Sequence, residues 1–171
     1  MSVRTMPEVR ARDAAAADRL EASLAGLVAA HEELLDATRA HREALSRADR
    51  VALARCVERE TEILQRIAGH EESRRLALAE LGVPGAMLER VATAVPEERR
   101  ERVRALGERL RGLLGTLGRE ARVVRTASAA LLRHMDGMVQ QVARALDATG
   151  VYGRQGRVSA TPIRSGLDVV M

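Results

Sequence analysis

Between Leu20 and Leu45 the larger apolar residues recur on a heptad, with Leu20, Leu27, Leu34 and His41 in one series and Leu24, His31, Thr38 and Leu45 in the other. Two interleaved series at that spacing share one side of an α-helix, which makes a coiled-coil-like seam. Thr5-Met6-Pro7-Glu8 has the form of a capping box with an early proline. The Ala-rich stretch after it shows no clear apolar face, so residues 1–12 stay unassigned and the helix is predicted over about 13–45.

A second seam is predicted over 49–81, through Leu53, Val57, Glu60, Leu64, Ile67, Glu71, Arg74, Leu78 and Leu81, in steps of four and three. Ser46 and Asp49 lie between the seams, and both are good N-caps. So short a connection folds the two helices into an antiparallel hairpin. Leu81-Gly82 supplies the stop, reinforced by Pro84-Gly85.

Residues 86–94 have room for one or two helical turns, and Pro96-Glu97-Glu98 then reads as a new start. From there a seam runs through Val103, Leu110, Leu117, Val124, Leu131 and Met138, joined by Leu114, Ala121, Ser128, Met135 and Val142. No proline interrupts it. A helix over 97–146 would span ~75 Å. The tail, 147–171, changes to glycines, scattered Arg and one proline before ending in Leu167-Asp168-Val169-Val170-Met171, and is expected to be flexible. The predicted fold is therefore all-α: a hairpin and a long third helix making a three-helix bundle over 13–146, with a flexible tail.

Composition sharpens this. The chain has one Tyr and no Phe or Trp. Aromatic rings bury the most area per residue, so the burial must be spread along helix seams of Leu, Val, Ala, Ile and Met. All 28 basic residues are Arg, set against 24 acids for a net +4. The signs alternate through the first 110 positions in place of forming a basic block, which argues for solvated helix faces and against a nucleic-acid footprint. Cys56 alone cannot make an internal disulfide, which points to a reducing cytosol. No apolar run reaches the ~20 residues of a membrane span, and only Ala14–Ala17 follows the N-terminal arginines, so no signal-peptide core is expected.

Catalysis needs convergent groups with tuned pKa values, and a heptad rod offers no obvious cleft for them; no enzyme activity and no cofactor are expected. Gly112, Gly115 and Gly118 lack the spacing, the Lys and the strand of a phosphate loop. His31 and His41 stand nearly three helical turns apart, about 15 Å, too far to share an ion; they read as register-setting seam residues. Gly107, Gly112, Gly115 and Gly118 each cost on the order of 1 kcal/mol relative to Ala. Either the segment is softened for a partner, or its neighbours tolerate it. Leu131, Met135, Met138 and Val142 form an apolar stripe that Leu132 and Val139 widen. The hairpin is too short to cover all of the third helix, so part of this stripe should be left exposed as an adaptable binding surface.

The arrangement of Leu53, Val57, Glu60, Leu64, Ile67 and Arg74 before Leu81-Gly82, a Pro-containing break, a long last helix and the tail opening Val151-Tyr152-Gly153-Arg154-Gln155-Gly156-Arg157 resembles the FlgN-like flagellar export chaperones. The resemblance covers roughly residues 15–171. It implies a bacterial cytosolic chaperone that keeps hook-associated (hook–filament junction) subunits unpolymerised and delivers them to the flagellar type III export gate. It places substrate binding on the stripe Leu131, Leu132, Met135, Met138, Val139 and Val142, and gate contact on Tyr152. Family members often carry Asn where this chain has Arg119, Arg122 and Arg125. The competing readings are a coiled-coil scaffold or adaptor, which gives no reason for the tail, and an Arg-rich nucleic-acid binder. A heptad seam is satisfied by an intramolecular bundle or by a homodimer alike.

Overall fold

The computed structural model describes residues 6–148. Four helices follow in order: α1 (Met6–Ser46), α2 (Arg50–Glu80), the short α3 (Leu88–Ala94) and α4 (Glu97–Ala148). The architecture is the all-helical bundle that the seams predict. The chain divides into two compact units, Met1–Ala127 and Ser128–Met171. The bundle belongs to the first. The expected flexible tail lies, past Ala148, outside the described residues, as does Tyr152.

The hairpin turn is built from two caps. Ala48 takes a left-handed φ of 51°, and the amides of Ala48 and Asp49 return to the carbonyls of Leu45 and Ala44 at 3.1 and 3.0 Å, closing α1 in a Schellman motif. The Asp49 carboxylate then accepts from the Val51 and Ala52 amides, both at 3.0 Å, and so starts α2. Ser46 instead ends α1, its hydroxyl donating to the Glu43 carbonyl at 2.8 Å. α2 closes by the same device with Gly82 in the left-handed position, φ 71°; the Val83 amide reaches the Leu78 carbonyl at 2.9 Å.

Ion pairs give the helix directions. Arg19 of α1 pairs with Glu80 of α2, Glu33 with Arg66 at 2.6 Å, and His41 with Glu60 at 3.1 Å, so α2 runs antiparallel to α1. Glu21 pairs with Arg99 and Arg102 of α4, Glu32 with Arg109, and Arg42 with Glu120 at 2.7 Å, so α4 runs parallel to α1. The last of these pairs lies one turn before α1 ends.

What holds α1 to α2 is a heptad of small residues: Ala16, Ser23, Ala30, Ala37 and Ala44 are all buried. Their size lets the two backbones approach within 8 Å along their length. At Gly26 the His70 ring of α2 fills the place a Cβ would take, with Nδ1 only 2.6 Å from it. The Ala-rich start of α1 therefore does have a packing face, carried by Ala16 and Ala17 at 0% exposure.

The α2 seam needs one correction. Its series Leu53, Glu60, Ile67, Arg74 and Leu81 is half-buried, but Val57 and Leu64 are more than half exposed while Ile63 is 1% exposed. The inner edge is Cys56, Ile63, His70 and Ala77. Apolar residues flank the shared series on both sides, and α1 packs on the side three residues on in place of four. Leu64 instead lines a groove with Leu34, Leu117 and Val124.

Two aliphatic clusters make the core. One joins Leu20 and Leu24 of α1 with Ala77 and Leu78 of α2, Val91 of α3 and Val103 of α4, with Leu106 and Leu110 against it. The other joins Ala30, Leu34 and Ala37 with Ile63, and Leu117 of α4 packs against it. α3 seals the first cluster, and its Leu88 rests where a Cβ on Gly107 would lie, Cδ2 at 2.8 Å. Gly107 thus has a packing reason that Gly112, Gly115 and Gly118 lack.

Candidate partner-binding surface

α4 begins with Glu97 and Glu98 in its first turn, where carboxylates complement the positive end of the helix dipole. Its seam residues Val103, Leu110 and Leu117, with Leu106 outside the seam, turn toward the two clusters. The same seam continues by heptad steps through Val124 and Leu131 to Met138.

In the second unit, Leu131 is half-buried. Leu132, Met135, Met138, Val139 and Val142 are all exposed, from 51% at Met138 to 67% at Val139. The six share roughly a third of the helix circumference. Arg133, Asp136, Gln140 and Arg144 occupy the other side of the wheel. The result is an amphipathic helix segment with an apolar stripe open to solvent and no catalytic group on it.

The polar residues of the α1 seam are satisfied where they stand. The buried His31 donates from Nδ1 to the Leu27 carbonyl at 2.7 Å, Thr38 from its hydroxyl to Leu34 at 2.8 Å and Ser23 to Leu20 at 2.9 Å. These bonds stay within α1, so they do not set register between helices. His41 does bridge to α2, through Glu60. Among the described residues no three His, Cys, Asp or Glu side chains converge as a metal site, and no helix is long and apolar enough to cross a membrane. Cys56 is half-buried, and burial, with Glu60 adding to it, pushes its thiol above the ordinary range.

The family model described as FlgN protein matches residues 6–160, which takes in all four helices and Tyr152. The chain belongs to the FlgN family. FlgN membership carries the general role of a flagellar export chaperone, and the family is one of chaperones, not known for enzymatic activity. No curated protein and no solved structure matches the chain. The apolar stripe of α4 is legible from the large apolar residues, whereas the small-residue heptad of α1 is not, because it carries no large side chain. The signal was present as Ala and Ser at every seventh position.

Proposed function

We propose that this FlgN-family chain is a bacterial cytosolic chaperone that binds hook-associated subunits through the stripe of Leu131, Leu132, Met135, Met138, Val139 and Val142. Bound subunits are kept from assembling early and are passed to the flagellar export gate, with Tyr152 contacting the gate. The observation that carries the reading is the continuation of the α4 packing seam into side chains more than half exposed. An amphipathic helix of a subunit laid on such a stripe would be covered in the helix-in-groove manner. Covering the open half of each side chain contributes about 1 kcal/mol. Against the costs of association, that sum suits a grip that must later let go, and the Met side chains can refit to more than one subunit.

The test is co-purification of hook-junction subunits from a flagellated host. Met135→Asp with Met138→Asp should abolish capture; equal recovery with wild type would remove the stripe from the reading. Tyr152→Ala should spare subunit binding and reduce subunit secretion, and unchanged secretion would count against the gate contact. Sedimentation of the free chain tests whether the same stripe pairs two copies in the absence of a subunit.

A further inference from the structure

Four of the five arginines between Glu97 and Leu110 have carboxylate partners, and the fifth, Arg100, donates to the Val95 carbonyl at 3.4 Å. Arg99 pairs with Asp18 and Glu21, Arg102 with Glu21 at 3.2 Å, Arg104 with Glu101 at 3.2 Å, and Arg109 with Glu32. Further along, the pattern stops. Arg111, Arg119, Arg122 and Arg125 are exposed, and among the described residues none of them has an ion pair; Arg119 donates to the Thr116 hydroxyl at 3.1 Å. Between Glu108 and Asp136 the one acid is Glu120, and Arg42 already holds it.

The same segment carries unexplained glycines. Arg111, Gly115, Gly118 and Arg122 follow one another by four, three and four residues, so they lie along one line of the helix. A Cβ on Gly118 would meet nothing within 4 Å, and one on Gly115 only the tip of Arg119 at 3.9 Å. Packing within the unit therefore does not require glycine at either place. Each still costs on the order of 1 kcal/mol of helix stability. What glycine offers is bare backbone, against which a second helix can come closer than side chains permit.

We infer that this face of α4 is a docking line for a carboxylate-bearing helix of a partner protein. The glycines take the crossing point, and Arg111 and Arg122, flanked by Arg119 and Arg125, hold acids on either side of it. The chain uses the same chemistry internally, where Arg99, Arg102 and Arg109 hold the acids of α1. A guanidinium fork matches a carboxylate in two parallel bonds. Other occupants fit less well. The line has no apolar residue to enter a membrane and no aromatic ring on which bases could stack. A second copy would bring another net +4. Beyond Asp147 the chain itself holds one acid, Asp168, against Arg154, Arg157 and Arg164. The docking line is separate from the apolar stripe and does not depend on what the stripe binds.

The experiment uses the full chain and a fluorescein-labelled synthetic helical peptide of Ala, Gln and Glu, its glutamates confined to one face. Anisotropy at low salt should show this peptide binding at least roughly fivefold more tightly than a scrambled peptide of equal charge. Arg111→Glu with Arg122→Glu should weaken it about tenfold or more. Gly115→Gln with Gly118→Gln keeps every charge and favours the helix, so folding is protected, and it too should weaken binding about tenfold. Arg55→Glu with Arg59→Glu, the same charge change on α2, should leave binding within about twofold. Equal binding of the scrambled peptide, or indifference to the glycine changes, would overturn the inference. Tighter binding to a DNA duplex or to phosphatidylglycerol vesicles at the same salt would overturn it too, by assigning the arginines to phosphate.

Discussion

Gly26 and His70 show how one missing side chain sets the approach of two helices. Gly26→Ala would press a methyl group into the imidazole, with ring atoms at 2.6 and 2.7 Å. The overpacking cost of about 1–3 kcal/mol should exceed the ~1 kcal/mol that Ala gains in helix propensity, so the variant should unfold at lower denaturant. In a His70→Ala background the same change should stabilise, and a double-mutant cycle reads that reversal of sign. Cys56 offers a second residue-scale check. Its raised thiol pKa leaves less thiolate, so iodoacetamide should alkylate it more slowly than a free thiol at mildly alkaline pH. Unfolding should restore the rate. Neither feature was legible in the sequence, because a glycine in a helix does not announce the ring that covers it.

The elements were legible in unequal measure. The Leu20 to Leu45 heptads lead to one edge of the buried face of α1, and the Ala and Ser heptad beside them is the part that large apolar residues alone do not reveal. α2 was ambiguous because Cys56, Ile63 and Ala77 on one flank and Val57, Leu64 and Leu78 on the other serve equally as the second half of a seam. Only the position of α1 decides between them. Turn chemistry was clearer. Asp49 caps α2 through two amides, and Asp49→Ala should cost about 1 kcal/mol. Ala48 holds a left-handed φ of 51° that suits glycine better, so Ala48→Gly should raise stability by about 1 kcal/mol. Chemical denaturation of the two variants should move the midpoint in opposite directions.

For the molecule as a whole, the buried side chains of the core end at Val103 along α4, and the stripe begins after the unit boundary at Ala127. A chain ended at Ala127 should thus keep its thermal midpoint within a few degrees by circular dichroism, roughly the shift of a 1 kcal/mol change, while losing subunit capture. Loss of cooperative unfolding would show that the bundle leans on the later residues. Acid should act weakly: Arg66 and Arg75 hold the Glu33 and Glu72 carboxyls below the usual range. Their contribution is present above the ordinary carboxylate pKa and is lost as pH falls through the lowered values; both pairs are solvent-exposed and so worth little. The stripe was legible because seam and exposure follow from counting helix lengths. The unpaired arginines were not, because pairing depends on which helices face each other.

The wholly aliphatic core also makes the bundle optically silent in the near ultraviolet. With one Tyr and no Phe or Trp in the chain, intrinsic emission comes from residue 152 and from nowhere else. The protein therefore carries a built-in, single-position fluorophore four residues after α4 in the sequence. Any quenching or spectral shift on adding a non-aromatic partner is a local signal from that tyrosine, read without a label and without a background from the fold.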